Sequence, residues 1–148
     1  YETYNPGNNM VHQQAKAMAQ VVVDNIENDI EEIWGTEVNL CAANLYAGTT
    51  DLVGMYKGKP TIMDFKQTNK PKRRQWVWDY FQQLAAYALA HNELYGTDIQ
   101  KGVIMMCSVD CLYQEFILEG DEFKKAAEAW MERVEKFSLP TEEEPDTQ

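Results

Sequence analysis

Residues 48–66, Gly-Thr-Thr-Asp-Leu-Val-Gly-Met-Tyr-Lys-Gly-Lys-Pro-Thr-Ile-Met-Asp-Phe-Lys, constrain the fold more than any other part of the chain. They read as two strands joined at a tight turn, and because strand side chains alternate faces, Ile62, Asp64 and Lys66 must share one face. A two-residue loop at Lys57-Gly58 sets Asp51 directly opposite Asp64. Like charges in that relation destabilise a sheet, and aspartate is depleted in strands to begin with. Either the two aspartates mark strand ends and face water, or something cationic sits between them. A divalent metal ion beside Lys66 would meet the second requirement.

A chain of 148 residues is expected to form one domain with a sizeable core. Its formal charge of -11 is the opposite of what a protein that coats duplex DNA carries, since such binding is driven by phosphate neutralisation. Any contact with nucleic acid must therefore be local. The basic residues are segregated accordingly: Lys66, Lys70, Lys72, Arg73 and Arg74 lie together, whereas Glu27, Asp29, Glu31, Glu32, Glu142, Glu143, Glu144 and Asp146 carry much of the acid. Cys41, Cys107 and Cys111 form no disulfide framework or metal knuckle, so reduced thiols in a cytoplasmic compartment are the expectation. No apolar run approaches the roughly 20 residues that span a bilayer, and no membrane partner is expected. The chain begins at Tyr1 without a methionine, which leaves an upstream targeting segment open.

Tyr1–Asn9 is an irregular lead containing Pro6 and Gly7, with Asn8 or Asn9 as candidate helix cap. The helix is expected from about Met10 to Ile33, with Ala15, Ala19, Val22, Ile26, Ile30 and Ile33 on its apolar stripe and His12 turned inward. On the residues alone, His12 is either a hydrogen-bonded core histidine or a metal ligand. Thr36–Tyr46 reads as a first strand and contains Glu37. Beyond Lys66, residues 67–74 form a polar loop broken by Pro71, and a helix follows from Gln75 to about Tyr95. Val77, Phe81, Leu84 and Ala88 form its core stripe; Trp76, Tyr80, Gln83 and Tyr87 form a second stripe suited to lining a site. Gly96 stops this helix. Lys101–Ser108 predicts a strand buried on both faces, Leu112–Leu118 a shorter strand, and Asp121 to about Phe137 an amphipathic helix. The chain thus divides into one domain over residues 1–138 and an acidic, Pro-containing tail over residues 139–148 that is expected to fray.

Gly48-Thr-Thr-Asp51, a strand-turn-strand, Asp64-Phe-Lys66 and then Gln83-Leu-Ala-Ala-Tyr87 together resemble the PD-(D/E)xK nuclease superfamily in its RecB-type branch. The likeness covers Gly48 to Phe137 and is nearest to the mitochondrial genome maintenance exonucleases and their phage and bacterial relatives. It implies an α/β fold with a mixed central sheet flanked by helices, which the order helix, three strands, helix, two strands, helix fits. It also implies Mg2+ or Mn2+ held by Asp51, Asp64, the backbone carbonyl of Phe65 and His12, with the imidazole tilting preference toward manganese. Lys66 would orient or deprotonate the attacking water and steady developing charge. Gln83 and Tyr87, one helical turn apart on one face, would support it and contact DNA. Glu37 either matches a glutamate found ahead of the Gly-x-x-Asp strand in such enzymes or is a solvated strand-end residue.

The expected activity is hydrolysis of DNA phosphodiester bonds as an exonuclease in replication, recombination or repair. Lys70, Lys72, Arg73 and Arg74 lie close enough in sequence to Lys66 to grip phosphates near the cut. Trp76 and Tyr80 either belong to the core or stack on unpaired bases, at about 1 to 3 kcal/mol each. Lys57 and Lys59, at the hairpin tip, stand roughly 20 Å or more from Asp51 and outside the site. A short basic strip running into aromatics suits single-stranded DNA with a free end. A duplex exonuclease similar to the ring-forming lambda type, or an inactive nuclease fold that serves as a binding module, are the alternatives; homo-oligomerisation and protein partners stay open.

Overall fold

The computed structural model describes residues 10–42 and 46–143, with side chains as far as residue 137. The lead over Tyr1–Asn9 with its capping asparagines, residues 43–45 and residues 144–148 lie outside the described residues. The elements run α1 (Met10–Ile26), β1 (Ile30–Ala42), β2 (Tyr46–Tyr56), β3 (Lys59–Thr68), a 3-10 turn (Arg74–Val77), α2 (Trp78–Tyr95), β4 (Lys101–Ser108), β5 (Tyr113–Glu119) and α3 (Gly120–Glu143). The strands form one sheet in the order β1-β2-β3-β4-β5. Among the described residues only β3 and β4 pair parallel, so this is an α/β fold with a mixed sheet flanked by helices.

The hairpin turn has φ of 48° at Lys57 and 83° at Gly58. Positive φ at both central residues is what a type I′ turn requires, and such a turn fixes the register of its strands. Pairing runs from Tyr56 with Lys59 to Leu52 with Met63, and there the ladder stops. Beyond that point β2 continues along β1, from Leu52 against Thr36 to Tyr46 against Ala42. β3 continues along β4 instead, as far as Thr68 against Ser108. The two strands of the hairpin therefore fork, and Asp51 and Asp64 stand at the fork.

Each face of the sheet carries its own apolar cluster. Leu40, Val53, Ile62, Ile104 and Leu118 pack with Phe81, Leu84 and Ala88 of α2 and Phe123 of α3. On the other face, Met63, Val103, Met105 and Cys107 pack with Met18, Val22 and Ile26 of α1. A fully buried Leu, Ile or Phe contributes about 1.5 to 3 kcal/mol, so α2, whose Phe81-Leu84-Ala88 stripe is wholly buried together with Val77 of the preceding 3-10 turn, is firmly set over the fork. Gly96 closes it in the left-handed conformation, its N–H donating to the Asn92 carbonyl at 2.9 Å. The Asn92 side chain then ties down Thr97 and Ile99, which leads the chain into β4. β4 is buried along its whole length, Lys101 included; that ammonium sits 5.2 Å from the Tyr56 ring centroid.

Several boundaries differ from expectation: β1 runs Ile30–Ala42 rather than Thr36–Tyr46, Tyr46 opens β2, and the 3-10 turn over Arg74–Val77 precedes α2. α1 ends at Ile26, and a turn held by Asp29 N–H donating to the Ile26 carbonyl, and Lys57 N–H to that of Asp29, sends the chain into β1. Ile30 and Ile33 are thus strand residues: their spacing fits a helix, but β-branched side chains suit a strand and pairing with β2 decides. The buried stripe of α1 is Met18, Val22 and Ile26, whereas Ala15 and Ala19 are exposed. At the other end α3 extends to Glu143, into the segment whose composition reads as tail.

Candidate active site

At the fork the two aspartates do not simply oppose each other. Asp51 N–H donates to Asp64 Oδ1 at 2.9 Å, and Phe65 N–H donates to Asp51 Oδ2 at 2.8 Å. Each carboxylate takes a backbone donor that the ended ladder would otherwise leave unpaired, so the strands are bridged by side chains where they separate. Thr50 Oγ1 adds a bond to Asp64 Oδ1 at 3.1 Å. These bonds use one oxygen of each carboxylate; the second oxygen of Asp64 lies 4.0 Å from Lys66 Nζ.

Asp64 is buried, at 4% exposure. That burial pushes its carboxyl above the ordinary range; the Asp51 N–H pulls it back, the Asp51 charge adds to the rise, and Lys66 and Thr50 lower it. A carboxyl raised in the fold favours the folded state while protonated. This contribution is present below the ordinary carboxylate pKa and is lost as pH rises through the raised value. The ionised form is the one that burial disfavours and that a nearby cation would relieve.

Lys66 is positioned by α2: its Nζ donates to Gln83 Oε1 at 3.3 Å and lies 4.8 Å from the Tyr80 ring centroid. One turn further, Tyr87 lies directly on the backbone of β2, where a Cβ at Gly48 would come 2.7 Å from its ring and 2.9 Å from its hydroxyl. Gly48 is thus required by close approach rather than by a turn. The Tyr87 hydroxyl is raised by burial and then by the charges of Asp64 and Asp51, which keeps it neutral. Gly48→Ala is expected to displace this ring and to destabilise the fold by about 1 to 3 kcal/mol, the usual cost of overpacking. Urea unfolding checks this, and an unchanged midpoint would refute the contact.

Lys66, Tyr80, Gln83 and Tyr87 line an open cleft of about 340 Å3, joined by Tyr46 of β2, Asp79 of α2, and Trp130 and Arg133 of α3. Trp130 and Arg133 are not singled out by the sequence motif. The available signal was their three-residue spacing, which places an aromatic and a cation on one helix face.

The remaining candidates are dispersed. Glu37 falls at the register position across from Asp51, between the Thr36–Leu52 and Val38–Thr50 pairs, exposed and with φ of 49°. His12 is half-buried on α1, which packs on the sheet face away from α2. Among the described residues no three His, Cys, Asp or Glu are grouped to hold a metal. Trp76 is exposed under the Arg73 guanidinium at 5.5 Å and lies outside the cleft. Arg74 donates to the Ile117 carbonyl at 2.7 Å and pairs with Glu122, fastening the 3-10 turn to β5 and α3 rather than facing solvent phosphate. Lys70 and Lys72 are exposed on a loop pinned by Gln114, which bonds both the N–H and the carbonyl of Lys72 at 2.8 Å. Lys57 and Lys59 face Asp29 and Glu119 at 3.9 Å, away from the site.

The donors at the fork suit a hard divalent cation. Magnesium keeps several waters and takes one or two carboxylates, so Asp51 and Asp64 meet its needs without an imidazole.

No family model matches the chain, and no curated protein matches it. Among solved structures, the crystal structure titled "Putative exonuclease" from Eubacterium rectale superposes with a TM-score of 0.54. The fold is similar to that of this exonuclease structure. Identity over that match is 14%, covering 79% of this chain and 51% of the other, so the chain spans about half of that protein's length and the likeness concerns the fold.

Proposed function

We propose that the chain is a metal-dependent deoxyribonuclease of the RecB type, acting as an exonuclease on single-stranded DNA with a free end in replication, recombination or repair. The observation that carries this reading is the reciprocal anchoring of Asp51 and Asp64 at the fork, with Lys66 4.0 Å from Asp64. Asp51, Asp64 and the Phe65 carbonyl would hold Mg2+ or Mn2+. When bound, such an ion neutralises charge on the scissile phosphate and acidifies water. Lys66, held by Gln83 and Tyr80, directs its ammonium at the attacking water or at a phosphoryl oxygen, where it stabilises developing negative charge. Tyr87 keeps the Gly48 strand in place beside the carboxylates and stays neutral. Lys70, Lys72 and Arg73 are exposed and would contact phosphates further along the strand.

The second reading is a nuclease fold that binds without cutting. One digestion separates them: an end-labelled linear single strand, the same strand circularised, and a blunt duplex, each with manganese. The expected result is fastest loss of the linear strand and survival of the circle. Equal cutting of all three would reject both the strand preference and the need for an end; retardation without cutting supports the binding module.

A further inference from the structure

The far wall of the cleft is built from residues outside the Asp-x-Lys and Gln-x-x-x-Tyr motifs. Arg133 Nη1 donates to Gln82 Oε1 at 3.1 Å, and the guanidinium lies 5.4 Å from the Trp130 ring centroid. Trp130 in turn meets Tyr46 edge to face at 5.2 Å, and the Tyr46 hydroxyl donates to the Ala86 carbonyl at 3.0 Å. Gln82 is itself buried, so one corner of the guanidinium is fixed while the residue remains exposed. Among the described residues no carboxylate pairs with Arg133, in contrast to Arg74, Lys57 and Lys59. An oriented guanidinium lacking a counter-charge is suited to forked recognition of phosphate. The aromatics beside it offer faces on which an unpaired base can stack. Lys66 lines the same cleft, whose volume of about 340 Å3 suits a nucleotide; Asp79 offsets part of this charge at the rim.

We propose that Arg133, Trp130 and Tyr46 form a nucleotide subsite that holds the phosphate next to the one being cut and stacks its base, so selecting an unpaired DNA strand. This rests on the nuclease reading above. The test is the affinity of a labelled single-stranded oligonucleotide across a salt series with chelator present, followed by steady-state cleavage with manganese. Arg133→Ala is expected to weaken binding about tenfold, the size of a lost charged hydrogen bond. It should also flatten the log affinity against log salt slope by about 0.7, the value of one phosphate contact on a single strand. KM should rise with kcat nearly unchanged, because Arg133 touches no reacting atom, and Arg133→Lys should restore the salt slope. Should loss of the Gln82 bond unfold the alanine variant, Arg133→Gln, which keeps a polar donor on a longer side chain and removes the charge, carries the same measurement. Unaltered affinity and slope in a variant of a wild type that binds and cuts would overturn the subsite alone. A wild type that neither binds nor cuts overturns the nuclease reading and the subsite with it.

Discussion

Lys66→Ala is expected to lower the rate of DNA cleavage by about 10^2- to 10^4-fold, the range for losing a positioned acid-base or charge-stabilising group. The Nζ is 4.0 Å from Asp64 and hydrogen-bonded to Gln83, so it faces the reacting region without holding the cation. Manganese affinity, followed by calorimetry, should be retained or slightly tightened, since a neighbouring positive charge is removed. Cleavage at the wild-type rate would sink the assignment of Lys66, and most of the nuclease reading with it.

Asp51→Asn and Asp64→Asn should each lose activity beyond the roughly 10- to 100-fold typical of outer partners of a metal ligand, and each should weaken manganese binding. Stability moves in the opposite direction for Asp64. The asparagine oxygen can still accept from Asp51 N–H and Thr50, while the buried charge disappears. Asp64→Asn should therefore gain up to about 1 kcal/mol at neutral pH, the size of a like-charge cross-strand pair. The gain should shrink toward acid pH, where the wild-type carboxyl, raised by burial, is protonated and the two proteins converge. Urea unfolding at several pH values gives this profile; a variant less stable than wild type at neutral pH would show that the charge is fully compensated in the fold.

The register of the hairpin was legible because the turn residues Lys57 and Gly58 act locally, and both take the positive φ that sets the pairing of Leu52 with Met63. The α2 stripes were legible for a similar reason: Val77, Phe81, Leu84 and Ala88 repeat at the helical period and all reach the core. Where β2 leaves β3 was not legible, because it depends on the competing partners β1 and β4. Nor was the fate of Arg74, whose acceptors Ile117 and Glu122 lie more than 40 residues away. On α1, Val22 and Ile26 face inward as their spacing implies, whereas Ala15 and Ala19 do not: alanines suit a buried or an exposed helix face, and packing against Met63 and Met105 selects Met18 instead. Arg133 and Trp130 carried no motif; their place beside Lys66 follows from how α3 docks on α2.

The most direct measurement is single-turnover cleavage of an end-labelled linear single strand by wild-type protein and Asp64→Asn, each with manganese and with chelator. The Asp51–Asp64 fork as the seat of metal-dependent hydrolysis predicts label release only by the wild type with manganese. Release that persists in chelator, or that Asp64→Asn supports at the wild-type rate, would contradict it.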